Sequence, residues 1–230
     1  MSKTTATVTE DIIDSIGEQI VKGDYQPGEK LPNERDLADH FGVARGRIRE
    51  ALRGLAMAGL VEIKRGNGSF VKHADEWVDS TTVRWAFSTP DASMEELLVV
   101  RDVLEKGIYE QAYNYCNNID LDNIGHRLVE LQDAIPQELT VFADAIDRFD
   151  LEMARISRNT LFLRLFQALL ILRRDKVEQI LEVEGSRVQS LRLRERIYSS
   201  FKDRNKQSAI EAIDDFFVQA RSFAKQLPKN

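Results

Sequence analysis

Between Leu31 and Phe70 the chain carries a pattern that leaves few folds open. It runs Leu-Pro-Asn-Glu-Arg-Asp-Leu-Ala, then a turn at Phe41-Gly42-Val43, an arginine-studded stretch, and two short apolar runs around Lys64-Arg65-Gly66-Asn67-Gly68. Asn33 can cap a short helix through its side-chain oxygen, with Asp36 three residues on reaching back in a box-like arrangement. Pro32 discourages helix before that cap. Gly42 tolerates a positive φ, so the chain can turn sharply into a second helix that begins near Arg45. At 100° per residue from Arg45, Ile48, Leu52 and Leu55 fall at about 300°, 340° and 280°, whereas Arg45, Arg49 and Arg53 fall at about 0°, 40° and 80°. One stripe belongs in a core and its neighbour is cationic. Residues 60–63 and 69–71 then predict two strands joined by a basic, glycine-flanked tip.

That spacing is a helix-turn-helix followed by a wing. A guanidinium fork bonds a guanine edge bidentately or holds a phosphate, a helix of this width fits the major groove, and a basic tip can enter the minor groove. The expectation is therefore a winged helix that binds double-stranded DNA. From Ala44 to Lys72 seven basic side chains stand against only Glu50 and Glu62, although residues 1–74 as a whole hold 11 basic and 11 acidic groups. The net charge of −6 thus belongs to residues 75–230 and does not argue against a DNA-binding surface.

A chain of 230 residues with 43% apolar content can build two domains, each with a core of its own. No run of about 18 apolar residues offers a membrane span, and the polar Ser-Lys-Thr-Thr start lacks a signal-peptide hydrophobic region, so a cytoplasmic chain without membrane contact is expected. Cys116 is the single cysteine, which excludes an intrachain disulfide and suggests a buried spectator thiol. The division falls at residues 1–74 and 75–230, with a linker over residues 73–79 marked by the charged His73-Ala74-Asp75-Glu76. Residues 77–87 read as a short helix with Trp77, Val78, Thr81, Trp85 and Phe87 packed inward, stopped at Thr89-Pro90. Beyond it nearly everything has helical period. Helices are expected over residues 93–116, 120–134, 138–156, 160–178, 182–203 and 206–227, an all-α antiparallel bundle.

On these motifs residues 8–73 closely resemble the winged-helix domain of the GntR family, and the rest of the chain resembles, more loosely, the helical effector domain of its FadR subfamily. The resemblance implies that Arg35, Arg45, Arg49 and the wing-tip Gly66 touch operator DNA, with Arg47 and Arg65 as helpers by position. Gly46, a weak helix former, would let the backbone come close to the duplex. Ala44 departs from the family, which usually places Ser or Thr there as helix cap and phosphate ligand. Losing that hydroxyl costs about 1 kcal/mol of helix stability. The resemblance also implies a homodimer on a pseudo-palindromic operator and a ligand cavity between the bundle helices.

Within the bundle, Leu97, Leu104 and Ile108 lie at about 0°, −20° and 20°, and Arg101 lies among them at about 40°. A guanidinium on an apolar face requires a partner, either a carboxylate-bearing effector or an internal salt bridge with a glutamate or aspartate. Many FadR-type domains hold a divalent metal with one aspartate and three histidines. Here Ile146, Asp150, Arg194 and Phe216 align with that set, beside Phe149 and Asn159, and His126 is the lone histidine of the second domain. No metal and no other cofactor is expected, with Asp147 and Asp150 read as solvated carboxylates and His126 as an ordinary histidine. An effector site would then be built from Arg101, Phe149, Asp150, Met153 and Asn159, with further apolar walls from Phe162, Leu165 and Phe166. A metal-free, apolar cavity holding a cation favours an acidic metabolite, with a fatty acid or acyl-coenzyme A as the leading candidate.

Enzymatic function finds little support. No Gly-rich phosphate loop, cofactor-lysine pattern, Cys-His pair or Ser-His-Asp arrangement stands out. The reading is a sequence-specific DNA-binding regulator, a repressor, whose operator affinity responds to that metabolite. The alternative is an effector-independent DNA-binding protein that uses its helical domain for protein–protein contacts.

Overall fold

The computed structural model describes residues 7–73, 76–87 and 93–227. The chain divides into two compact units, Met1–Ala86 and Phe87–Asn230. In the first, α1 (Val8–Lys22) begins with a capping box between Thr7 and Glu10 and ends at Gly23 in the left-handed region. Helix α2 (Glu34–Phe41) starts where Asn33 Oδ1 accepts from the backbone N–H groups of Arg35 and Asp36, both at 3.0 Å. Asp36 meets the cap through Asn33 Nδ2, which donates to its carboxylate at 2.6 Å, so the box closes between side chains. Gly42 turns the chain at φ 66°, and α3 (Arg45–Met57) follows from an Ala44 that offers no side-chain cap. Ile48, Ala51, Leu52 and Leu55 of α3 are buried against Ile12, Ile16 and Ile20 of α1 and Leu37 and Ala38 of α2.

The wing is an antiparallel pair, β1 (Val61–Lys64) and β2 (Gly68–Val71), in the register Val61↔Val71 to Lys64↔Gly68. The sequence reading missed a third contributor: Lys30 bridges Phe70, and the Leu31 N–H donates to the Ser69 carbonyl at 2.9 Å. Gly59, at φ 82°, is required here, because a Cβ would stand 2.2 Å from the Trp77 carbonyl oxygen. Trp77 packs beside the first core and its indole N–H donates to the Lys72 carbonyl at 2.9 Å. The start of the expected linker thus leans on the winged helix. Three inward assignments fail: in the short α4 (Ser80–Ala86) Val83 is the buried residue, Thr81 is exposed, and Trp85 and Phe87 are 70% and 59% exposed. A helix this short has room for one inward stripe, and Val83 takes it. Thr89-Pro90, expected to end it, and Ala74-Asp75 of the linker lie outside the described residues.

Among the described residues the second unit has six helices: α5 (Met94–Tyr115), α6 (Asn118–Ala134), α7 (Leu139–Ile156), α8 (Thr160–Leu181), α9 (Ser186–Lys202) and α10 (Lys206–Ala224). Ser93 with Glu96 and Asn117 with Asp120 form capping boxes, and Asn159 and Asn205 cap α8 and α10. Helix α7 packs against α5, α6 and α8, while α10 packs against α5 and α9. Accordingly α7 is buried well beyond a single stripe, through Phe142, Ala145, Ile146, Phe149, Asp150, Met153 and Ala154. Cys116 is buried, and desolvation pushes its thiol up to about 11, as befits an inert packing residue. Among the described residues no helix is long and apolar enough to cross a membrane.

Candidate functional site

Two arginine-rich places stand out, one in each unit. In the winged helix, the face of α3 beside its buried stripe presents Arg45, Gly46, Arg49 and Arg53 to solvent, and Arg35 on α2 and Arg65 on the wing tip are also exposed. Nothing lies within 4 Å of where a Cβ would stand on Gly46 or Gly66, so both leave the backbone open to close approach. Gly66 sits in the tip at φ 77°, a conformation that suits glycine. Arg47 leans away from this group, donating to Thr9 Oγ1 and Glu50, both at 3.4 Å. Arg49 is held by Glu34, its Nε and Nη2 donating to the two carboxylate oxygens at 3.0 and 2.7 Å. The hydrogen bond from Arg49 keeps the Glu34 carboxyl below its ordinary range, and Glu34 in turn raises Arg49. The pair fixes the guanidinium plane on the exposed side of the helix-turn-helix, since α2 supplies the anchor and α3 the fork.

In the bundle, Arg101 is the centre of a buried network. The core face of α5 runs through Leu98, Arg101, Glu105, Ile108 and Ala112, so Arg101 sits in its middle and Leu97 and Leu104 only flank it. Arg101 donates to Glu105 one turn along α5 at 2.8 and 3.3 Å, which realises the internal salt bridge. Glu105 also accepts from Arg173 Nη1 of α8 at 3.1 Å. Arg173 Nη2 donates to Asp150 at 2.7 Å and to Asp147 at 2.9 Å, and Arg194 of α9 grips Asp150 through three contacts of 2.9 to 3.1 Å. Tyr109 donates its hydroxyl to Asp150 at 2.7 Å.

Burial alone would raise the Asp150 carboxyl, but the charges of Arg194 and Arg173 and the hydrogen bonds from Arg173 and Tyr109 outweigh it and hold the group below the usual aspartate range. Tyr109 moves the other way, pushed well up by burial and by the Asp150 charge. The guanidiniums also lie over rings: Arg194 is 4.8 Å from the centroid of Phe216 and 5.5 Å from that of Phe149, and Arg173 is 5.4 Å from that of Phe166.

A cavity with about 50 Å³ of space opens on this network, bordered by Arg101, Arg173 and Arg194, by Ser186 and Ser190 of α9, and by apolar side chains including Ile146, Val177 and Phe216. Of the residues expected to hold an effector, only Arg101 borders it. Asp150 lies beneath the wall, engaged with the arginines. Phe149 and Met153 are core residues of α7 with no exposed surface, because that helix is packed on several sides. Asn159 caps α8, accepting from Leu161 and Phe162 N–H at 3.0 and 3.2 Å. Among the expected walls, Leu165 is exposed and Phe166 lies under Arg173. Arg173, Glu105, Ser186 and Ser190 escaped the reading. The face test that marked Arg101 would have found Arg173, which lies seven residues from Phe166 and four from Val177 on the inner side of α8.

Three of the four positions aligned with the metal set of the FadR subfamily, Ile146, Arg194 and Phe216, border the cavity, and the fourth, Asp150, lies just beneath. They do not fit a divalent ion. Asp150 and Asp147, read as solvated carboxylates, instead serve arginines: Asp150 is fully buried and Asp147 accepts from Arg173 and Arg174 at 2.9 and 3.0 Å. A cation placed at Asp150 would face two guanidiniums within hydrogen-bond reach of the same carboxylate. His126 is exposed on α6, and among the described residues no cluster of three His, Cys, Asp or Glu side chains is arranged to hold a metal.

Comparison with known proteins agrees with this two-part organisation. Residues 8–71 match the family described as bacterial regulatory proteins, gntR family, and residues 96–218 match the FCD domain. The galactonate operon transcriptional repressor of Escherichia coli is 27% identical over 90% of this chain and 93% of its own length. The Uxu operon regulator of Haemophilus influenzae is 32% identical over 66% of this chain and 55% of its own length. Among solved structures, Streptococcus agalactiae GntR shares the fold with a TM-score of 0.72 at 22% identity, covering 95% of this chain and 100% of that one.

Proposed function

The chain belongs to the GntR family of bacterial transcriptional regulators, in its FCD-bearing, FadR-type branch, and from that premise we propose that it is a cytoplasmic repressor that binds a pseudo-palindromic operator as a homodimer, with an affinity modulated by a small acidic metabolite. The observation that carries the reading is the solvent face of α3, where Arg45, Gly46 and Arg49 stand together while Ile48, Ala51, Leu52 and Leu55 turn inward. Arg35 and Arg65 extend that surface, with Arg47 a flanking contact. One winged helix reads only a few base pairs, so a twofold pair is needed for a usable site. Helices α5 and α8, which pack together, carry exposed Val99, Val100, Val103, Leu161 and Leu165, an apolar surface suited to covering by a second copy.

The relative that represses the galactonate operon supports an organic acid as the signal. The arginine-bordered cavity supports it independently. A cavity of about 50 Å³ suits a compact acid, and a fatty acid or acyl-coenzyme A would need the wall to open. The test is selection of duplexes from a random pool by the full-length protein, followed by titration of the enriched duplex against the Arg45→Ala variant. Enrichment of a two-half-site sequence, weakened by that substitution, is expected. Recovery of no preferred sequence would sink the reading.

A further inference from the structure

Glu34 is an acidic residue among the arginines of the winged helix's cationic face. Arg49 Nε and Nη2 donate to its two carboxylate oxygens at 3.0 and 2.7 Å, a bidentate pair between residues 15 apart in the chain. Glu34 opens α2, whose first turn is fixed by Asn33 accepting from the Arg35 and Asp36 N–H groups, and its carboxylate lies at the positive end of that helix. The side chains are 37% and 57% exposed for Glu34 and Arg49, so the pair adds little to the stability of the fold. Arg45 and Arg53 add their charges around the same carboxylate. An anion on a surface that meets a polyanion repels phosphates and weakens binding to every duplex alike. What Glu34 contributes against that cost is visible in the edge of Arg49 that it occupies.

A guanidinium carries five N–H donors in one plane. Glu34 takes the edge formed by Nε and Nη2, and the outer edge, formed by Nη1 and the second N–H of Nη2, is a complete fork of its own. That outer fork matches the O6 and N7 acceptors of guanine, which are uncharged, whereas a phosphate placed there would meet the repulsion of Glu34. We propose that Glu34 is a positioning residue for sequence readout: by filling the inner edge of Arg49 it fixes the guanidinium plane and aims the outer fork at one guanine of each operator half-site. This rests on the recognition-face reading above and adds to it a residue that holds no DNA itself. Held in one plane, Arg49 distinguishes guanine from the other bases. Released, it swings to any phosphate within reach and contributes affinity without discrimination.

The experiment uses the full chain, the duplex enriched from the random pool, and a set of duplexes in which each base pair of the half-sites is replaced in turn. The pair read by Arg49 is the one whose replacement ceases to matter in Arg49→Ala. Glu34→Gln keeps the shape of the side chain but offers the fork one acceptor in place of two. It is expected to cut discrimination at that base pair at least tenfold, to keep discrimination at the other positions, and to bind random duplex severalfold more tightly because an anion facing the phosphates is gone. In the Arg49→Ala background the same substitution should no longer alter discrimination. The melting temperature of Glu34→Gln should stay within about 2 °C of the parent, because the pair is exposed. A selected pair other than G·C at that position, an equal change of affinity on every duplex, a loss of discrimination that persists without Arg49, or a fall in melting temperature that tracks the loss of binding would overturn the proposal. Unaltered binding in both Arg45→Ala and Arg49→Ala sinks the recognition face and the role of Glu34 with it. Weakened binding in those two, with full discrimination in Glu34→Gln, removes the role of Glu34 alone.

Discussion

The two units use the same residue type in opposite ways. On the winged helix Arg35, Arg45, Arg49 and Arg65 are exposed, spread over a helix-turn-helix and a hairpin tip. In the bundle Arg101, Arg173 and Arg194 are almost wholly buried and locked to Glu105 and Asp150. An exposed guanidinium keeps its hydration until a phosphate or base edge replaces it, so it contributes little to folding and much to binding. A buried one must have its carboxylate, and the pair becomes part of the fold. Charge counts along the sequence cannot separate the two cases; the apolar neighbours three and four residues away can.

The sharpest test of that contrast is Asp150→Ala. It strands Arg194 and Arg173 without their shared acceptor and should destabilise the helical unit by about 3–5 kcal/mol, read by chemical denaturation of the full chain. A loss below about 1 kcal/mol would mean that the network is solvated rather than structural. Acid is a related probe. The Asp150 carboxyl lies below its unfolded value, so its contribution is fully present above about pH 4 and drains away as pH falls through the lower folded value. The bundle should therefore lose stability below about pH 4, and Asp150→Asn should flatten that part of the profile.

On the other side of the comparison, Arg49→Ala should weaken specific operator binding on the order of ten- to a hundredfold while leaving thermal unfolding nearly unchanged, because its pair with Glu34 is exposed. An equal fall in stability and binding would show that Arg49 behaves like the buried arginines. The smallest expected effect is at Ala44. Restoring a hydroxyl with Ala44→Ser should add about 1 kcal/mol to the winged helix through the missing α3 cap. If the hydroxyl gains a phosphate it should also strengthen operator binding while leaving its salt dependence unchanged, because a neutral donor displaces no counterion.

The helical period and the caps made most of the architecture legible. Asn33, Gly42 and the Ile48-Leu52-Leu55 stripe placed α2, the turn and α3, and the six bundle helices were readable to within a few residues at their ends. Capping explains this, since a cap and the helix it starts are neighbours in the chain. The short segment around Trp85 was less readable, because a seven-residue helix gives too few turns for a stripe to declare itself. Arg101 was visible as an anomaly on an apolar face, but its partner was not. Glu105 is four residues away and looks like any surface pair until α8 brings Arg173 to its other side.

The sequence by itself determined the two-part organisation, the helix-turn-helix with its wing, and the cationic stripe on α3, because each depends on residues close together in the chain. Only the tertiary structure decided what became of the aligned metal positions. Asp150, Arg194 and Phe216 are far apart in sequence, and packing of α7, α9 and α10 brings them together as an ion pair lying over a ring. It also decided that Arg173 Nε and Ser186 Oγ end beside one cavity without acceptors among the described residues. Local periodicity says which way a side chain faces; what it meets there depends on helices that arrive from elsewhere in the chain.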